Sequence, residues 1–248
     1  MHVVSIGPGD ADHLTAGANM ALQAADVIAG YDGYLQYIAD YLEGKEVISS
    51  GMRGEVERCR NALSQFRGGR RVVLVSGGDA GVYGLAGLVL ELMSPAERAS
   101  LLILPGVTSA TACAALLGAP LTHDFAVISL SDLLTDAKLI EKRLDLAAKG
   151  DFVTVLYNPR SLSRRHLFLR TIDIFLKHRE AHTPVGLVRN AYRDEQRVEI
   201  VQLTDLYAQD WVDMKTTVII GNSQTMSSGH RMITPRGYQI CRTDEAVV

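Results

Sequence analysis

The sequence predicts an α/β fold in two domains, and three observations predict it. Short runs of β-branched and apolar residues alternate with longer stretches of helical period, the pattern of parallel strands joined by helical crossovers. Every strand-like run of the first half ends in a glycine-bearing loop, the place where open α/β sheets bind ligands. At 117–122, Leu-Gly-Ala-Pro-Leu-Thr sets a helix-ending glycine before a proline that prevents smooth continuation, so the domain joint is placed there. The expected domains are 1–119 and 120–238, with 239–248 as a polar tail and the ligand site in the cleft between the halves.

In chain order, the run at 3–6 stops at Gly7 and reads as a strand, followed by a helical stretch at 14–24. The run at 27–29 stops at Gly30, 72–76 at Gly77 and 101–104 at the Pro105-Gly106 pair, with helices expected at 55–66, 83–93 and 109–117. In the second half strands are expected at 125–130, 152–157, 185–189, 198–202 and 217–221, and helices at 137–148 and 162–178. Strands therefore crowd toward the end of the chain.

Composition narrows the function. With 248 residues, 47% hydrophobic and 21% charged, the chain has the balance of a globular α/β enzyme. A net charge of -3 argues against a protein that coats nucleic acid, where a basic excess supplies affinity. The opening residues 1–7 lack a basic segment followed by an apolar core, so no secretory signal is expected, and no apolar run is long enough to span a bilayer. Cys59, Cys113 and Cys241 are odd in number, far apart and without CxxC spacing, which points to a reducing cytoplasm and away from disulfides or a metal site.

Four loops carry the chemistry. The loop Gly7-Pro8-Gly9-Asp10-Ala11-Asp12 has Asp12 where a dinucleotide-binding fingerprint needs its third glycine, which argues against a nicotinamide site; Asp12 as a helix cap competes with a catalytic Asp10. In Gly77-Gly78-Asp79-Ala80-Gly81-Val82-Tyr83-Gly84, four glycines near a carboxylate let backbone groups reach a ligand edge. Asp79 can accept from a ribose hydroxyl or an α-ammonium group, or can cap the following helix. Pro105-Gly106-Val107-Thr108-Ser109-Ala110 opens a helix of small residues that leaves room for a flat ring, with Thr108 or Ser109 as an alternative cap. After the 152–157 strand, Asn158 offers both donor and acceptor, and Pro159 turns the loop away. Around it Arg160, Arg164, Arg165, His166 and Arg170, with Arg189, Arg193 and Arg197 later, form a positive zone expected to hold a carboxylate-rich substrate. A solvated helix face is the competing account of Arg164 and Arg165.

These loops, taken with PLTHDFAVISLSDLLT at 120–135, LYNPRS at 156–161, GLVRNAYR at 186–193 and TTVIIGNS at 216–223, make the chain similar to the tetrapyrrole (corrin/porphyrin) methylase family over nearly its whole length. HDFAVISLSDLLT, YNPRS, RNAYR and MITPRGY at 232–238 most resemble its ring-contracting branch, the precorrin-3B carbon-17 methyltransferases. The resemblance implies two αβα domains, a homodimer, a tetrapyrrole substrate and S-adenosylmethionine as methyl donor. It implies donor contacts at Gly77, Gly78, Asp79, Val82, Ser109, Ala110, Asn158, Ala191 and Thr217, with Ala80 where the family usually has proline. Ring contraction moves protons, and Asp132, His123, Tyr157 and Arg193 are the candidates for handling them. A sister methylase, a cobalt-containing substrate, an RNA or protein methyltransferase and a non-enzymatic corrinoid carrier are the alternatives.

Overall fold

The computed structural model describes residues 1–160 and 165–239. By packing, the chain divides into two compact units, Met1–Ala112 with Asn190–Gln196 and Cys113–Arg189 with Arg197–Val248. The division falls inside a helix, upstream of the joint read from the sequence, and the 190–196 excursion groups with the first unit.

The first unit contains β1 (His2–Ser5), α1 (Ala16–Ala24), β2 (Val27–Tyr31), α2 (Asp32–Leu35), β3 (Glu46–Ser50), α3 (Glu55–Arg67), β4 (Val72–Ser76), α4 (Ala86–Leu92), α5 (Pro95–Arg98) and β5 (Leu102–Leu104). Its strands form one sheet in the order β3-β2-β4-β1-β5, parallel at every pairing. Strand alternation sends Val3, Val27, Ala29, Val72 and Leu74 to one face, against Cys59, Ala62 and Leu63 of α3 and Val89 of α4. It sends Val4, Ile28, Val73 and Val75 to the other, against Ala18, Ala21 and Leu22 of α1 and the neighbouring Leu35 and Ile38. Both faces are covered, which is why these strands read as continuous apolar runs. From their adjacent positions β1 leads toward β2 and β4 toward β5, in opposite directions along the sheet. That reversal is where an open parallel sheet leaves a crevice at its carboxyl edge.

Local chemistry sets the helix starts. Thr15 caps α1 by accepting from the Ala18 amide at 3.2 Å, so Asp12 is not the cap. The helix expected from 83 begins only at Ala86, because Tyr83 holds a left-handed φ of 53° that no helix accommodates. β3 escaped the sequence reading: Glu46-Val47-Ile48-Ser49-Ser50 is a largely solvent-facing edge strand whose serines and glutamate blur the apolar signal. Cys59 and Cys113 are buried, and burial pushes the Cys59 thiol up to about 11.

The helix crossing the division is α6 (Ser109–Leu117). The second unit continues with β6 (Gly118–Ala119), β7 (Phe125–Ser129), α7 (Ala137–Lys149), β8 (Val153–Tyr157), α8 (His166–Phe175), β9 (Pro184–Arg189), β10 (Arg197–Gln202), β11 (Thr216–Ile220), β12 (Met226–Ser228) and β13 (Arg231–Ile233). Residues 161–164, where the 162–178 helix was expected to start and where Arg164 falls, lie outside the described residues, as do 240–248 of the tail with Cys241. The main sheet runs β10-β9-β11-β8-β7, and here the expectation of parallel strands needs correction. β7 and β8 are parallel, but β11 enters antiparallel to both β8 and β9, and β9 pairs antiparallel with β10. The 190–196 connection is too short for a helical crossover, so β10 returns beside β9 as a hairpin partner. One core fills the face against α7 and α8, around Ile140, Leu144, Phe168, Ile172 and Phe175. On β9, Gly186 lies beneath Leu117, whose Cδ1 would be 2.3 Å from any Cβ placed there.

Among the described residues, no helix is long and apolar enough to cross a membrane, and no group of three His, Cys, Asp or Glu is placed to hold a metal ion.

Candidate active site

At the carboxyl edge of the first sheet, the loops after β1, β4 and β5 are bonded into one assembly. Gly7 and Gly78 exchange backbone hydrogen bonds, the Gly7 amide to the Gly78 carbonyl at 3.1 Å and the reverse at 2.8 Å, both residues with φ of 63°. Only glycine holds that left-handed backbone without strain. Ser5 Oγ, fully buried, accepts from the Ala80 amide at 2.8 Å. The Asp79 carboxylate accepts from the Gly81 amide at 2.7 Å through Oδ1 and from the Gly106 amide at 2.9 Å through Oδ2. Asp79 therefore clasps the β4 and β5 loops together. Each of its oxygens keeps a further lone pair for an incoming donor.

Gly106 is the packing centre of this assembly. A Cβ there would lie 2.6 Å from the Gly78 carbonyl oxygen, 2.6 Å from Ser5 Cβ and 3.3 Å from the Gly7 amide nitrogen. Tyr34 closes over Gly77, where a Cβ would meet its ring at 2.7 Å, and burial raises the Tyr34 phenol above its ordinary value against the pull of Arg193. Val82 and Ser109 are half-buried on the same loops, and Ala110 is buried.

The 190–196 excursion completes this edge. It is wound tightly, with left-handed φ at Asn190, Tyr192 and Glu195, and Asn190 Nδ2 donates to the Asp194 carbonyl at 3.2 Å. Arg193, a candidate for proton handling, donates through Nε to the Pro8 carbonyl and lays its guanidinium 4.4 Å from the centre of the Tyr37 ring. It straps the excursion to the β1 loop, which sets Ala191 on the same unit as the Gly77–Asp79 stretch. His13 and Asp10, absent from the sequence candidates as a pair, meet here at 2.6 Å, with Tyr192 against the His13 ring. The signal was available as an Asp and a His three residues apart, but sequence spacing alone could not distinguish a paired turn from two solvated side chains.

The second unit holds the remaining candidates. Tyr157 and Asn158 end β8, Asp132 follows β7, and Thr217 near the start of β11 pairs with Val188 near the end of β9, so these four share one edge of that sheet. Asn158 takes a left-handed φ of 53° and donates through Nδ2 to Ser129 Oγ at 3.0 Å; Thr217 is buried in the sheet. His123 is not with them. It precedes β7 at the opposite edge, and its Nδ1 accepts from the Asp124 amide at 2.8 Å, so a strand's length, on the order of 15 Å, separates it from Asp132.

The positive zone is also corrected. Arg160 is bonded to the Gln209 carbonyl at 3.2 Å and Asp210 at 3.1 Å, Arg170 faces Glu141 at 3.4 Å, Arg189 faces Asp213 at 2.9 Å, and Arg197 pairs with Glu199 while stacking on Trp211. Counting cations along the chain missed the acids that the fold returns to them. Arg165 and His166 are exposed at the start of α8.

The family model of the tetrapyrrole (corrin/porphyrin) methylases matches residues 1–207. The cobalt-factor III methyltransferase of Priestia megaterium is 44% identical over 96% of this chain, which spans 45% of that protein's length. The probable cobalt-factor III C(17)-methyltransferase of Salmonella typhimurium is 44% identical over 97% of this chain and 100% of its own. The crystal structure of the methyltransferase CobJ has a TM-score of 0.87 at 40% identity, covering 94% of this chain and 98% of that one. A parallel-sheet unit with interlocked glycine loops at its carboxyl edge, in a chain with these likenesses, defines a methyltransferase. The chain belongs to the tetrapyrrole (corrin/porphyrin) methylases, enzymes that draw their methyl group from S-adenosylmethionine.

Proposed function

We propose that this chain methylates a cobalamin-pathway tetrapyrrole at carbon 17 with ring contraction, taking precorrin-3B to precorrin-4. Cobalt-factor III of the anaerobic route is the second substrate to test, since the Priestia and Salmonella relatives carry it in their names. The observation that carries the proposal is the locked loop assembly around Gly7, Gly78, Asp79 and Gly106. Its glycines keep side chains out of the way of the remaining carbonyl and carboxylate lone pairs, which suits a donor with a flat base, a ribose diol and an amino-acid end. Gly77, Gly78, Asp79 and Val82 after β4, Ser109 and Ala110 at the start of α6, and Ala191 on the excursion are the proposed contacts in the first unit; Asn158 and Thr217 are those of the second.

When bound, the donor supplies an electrophilic methyl group on sulfur. The protein's part is to hold donor and macrocycle carbon in line, and fixed loops do this without reorganisation during the reaction. Asp132 and Tyr157, on one edge of the second sheet, remain the proposed proton-handling groups of that unit. We further propose that the enzyme works as a homodimer, which light scattering at the monomer mass would reject.

The test is incubation with methyl-labelled donor and either precorrin-3B or cobalt-factor III, followed by NMR of the product. Label at carbon 17 with an acetyl group appearing supports the proposal; label at another carbon makes this a sister methylase, and label in added RNA makes it an RNA enzyme. In the same assay Asp79→Ala should weaken donor binding about 10–100-fold, since two hydrogen bonds to a charged group are lost where the loops meet. Unchanged affinity by calorimetry would remove Asp79 from the donor site.

A further inference from the structure

Beside the interlocked loops stands a His–Asp pair that no part of the donor site requires. The Asp10 carboxylate accepts twice through Oδ1, from the His13 amide at 3.1 Å and from His13 Nδ1 at 2.6 Å. Both side chains are about 30% exposed, His13 at 29% and Asp10 at 32%, so the pair is shielded yet within reach of a ligand. An ionised carboxylate can only accept, so Nδ1 carries the proton and the free lone pair of the neutral ring is on Nε2. Among the described residues, Nε2 has no hydrogen-bond partner. The ring is held a second time by Tyr192, whose ring centre lies 4.1 Å away. The loop itself is pinned to the donor loops, because the His13 carbonyl closes over Gly7, which exchanges hydrogen bonds with Gly78. An imidazole with its tautomer set by a carboxylate, its plane set by an aromatic ring and its second nitrogen open is the arrangement of a general base.

We infer that His13, oriented by Asp10 and Tyr192, is a catalytic base of this enzyme. The inference rests on the methyltransferase reading and adds to it a proton acceptor in the first unit. The chemistry calls for one. When a sulfonium gives its methyl to a carbon of the macrocycle, the carbon–sulfur bond breaks with its electron pair on sulfur, a carbon–carbon bond forms, and the positive charge passes to the macrocycle. The charge is cancelled when an N–H or O–H bond of the macrocycle breaks, leaving its pair behind, and the proton bonds to His13 Nε2. The imidazolium so formed is stabilised by the Asp10 carboxylate and returns its proton to water. The charged and titratable groups around His13 are Asp10 and Asp12 on its own loop and Tyr192 and Arg193 on the excursion, with Tyr37 beyond Gly9. Arg193 is already engaged with Pro8 and Tyr37, so the one carboxylate bonded to the ring is that of Asp10.

The test measures turnover against pH, and donor affinity by calorimetry, for the wild type, His13→Gln and Asp10→Asn, with thermal melting to verify folding. The wild-type rate should depend on pH and be higher where the base is unprotonated. His13→Gln should lower kcat about 100-fold or more, flatten that rise and leave donor affinity within about threefold. Asp10→Asn keeps an acceptor oxygen but removes the charge, so it should lower kcat less and move the rise to lower pH. A His13→Gln enzyme with near wild-type kcat, or one that keeps the pH rise, overturns the inference. So does a loss of kcat matched by an equal loss of donor affinity, which marks His13 as a loop prop. A wild type that methylates no tetrapyrrole while binding the donor would overturn the functional proposal instead, and the base with it.

Discussion

Gly106→Ala is expected to reduce donor affinity at least about 100-fold, the equivalent of roughly 3 kcal/mol. The new methyl group would enter a space bounded by the Gly78 carbonyl and Ser5 Cβ, each 2.6 Å away, and neither a backbone carbonyl nor a Cβ on a central strand can swing aside. The 105–108 loop must then lift, and the Gly106 amide leaves Asp79 Oδ2. Because Asp79 also fixes Gly81, and Gly78 is bonded to Gly7, the displacement reaches all three loops at once. Overpacking of this kind costs about 1–3 kcal/mol of stability, so the protein should still fold and the loss in binding should exceed the loss in melting. Gly87→Ala is the matched control. No atom lies within 4 Å of a Cβ at Gly87 in α4, so that variant should gain about 0.5–1 kcal/mol and bind donor normally. Calorimetry with the demethylated donor would decide it, and a Gly106→Ala protein within threefold of wild type would show that the loops are not the donor site.

How far the sequence revealed this depends on the kind of interaction. The first sheet was readable because both of its faces are buried, so Val3–Val4 and 72–75 appear as unbroken apolar runs that end at glycines. Those same glycines marked the loops of the candidate site, since Gly7 and Gly78 hold a left-handed backbone and Gly106 lies too close to Gly78 and Ser5 to carry a side chain. The edge strand β3 was not readable, because a solvent-facing strand of glutamate and serines carries no apolar periodicity. Nor was the antiparallel insertion of β11, since the apolar pattern of Thr216–Ile220 is the same whichever way its neighbours run. The arginines misled for a related reason. Their charge is a property of the chain, but their availability depends on Asp210, Asp213, Glu141 and Glu199, which reach them only in the folded state. Asp79 shows the middle case: its place in the site was legible from the surrounding glycines, while its service as a clasp depends on Gly106, distant in sequence.

Arg179 is a charged residue that behaves as core. It lies in the charged run Lys177-His178-Arg179-Glu180, yet its side chain is 3% exposed. Its guanidinium donates to the carbonyls of Ala148 at 2.5 Å, His178 at 3.2 Å, Phe152 at 3.3 Å and Gly221 at 3.4 Å, and lies 3.1 Å from Asp151 Oδ1. Ala148 is in the last turn of α7, where carbonyls have no intrahelical partner, so one cation satisfies a helix end, the entry to β8 and the exit of β11 together. Asp151, in turn, holds Ser223 through both its amide at 3.0 Å and its hydroxyl at 2.6 Å. Arg179→Met keeps most of the volume and removes every one of these donors, leaving carbonyls buried without partners. The expected cost is about 3–4 kcal/mol, or a fall of roughly 6–12 °C in the unfolding midpoint. Arg179→Lys should lose about half as much, because one ammonium reaches fewer of the carbonyls and cannot hold their fixed fan. Donor affinity should stay unchanged in both variants at temperatures below the transition, because none of the proposed donor contacts is bonded to Arg179. A midpoint within 2 °C of wild type for Arg179→Met would mean that water replaces the guanidinium at little cost, and that the node does not hold the second sheet to its helices.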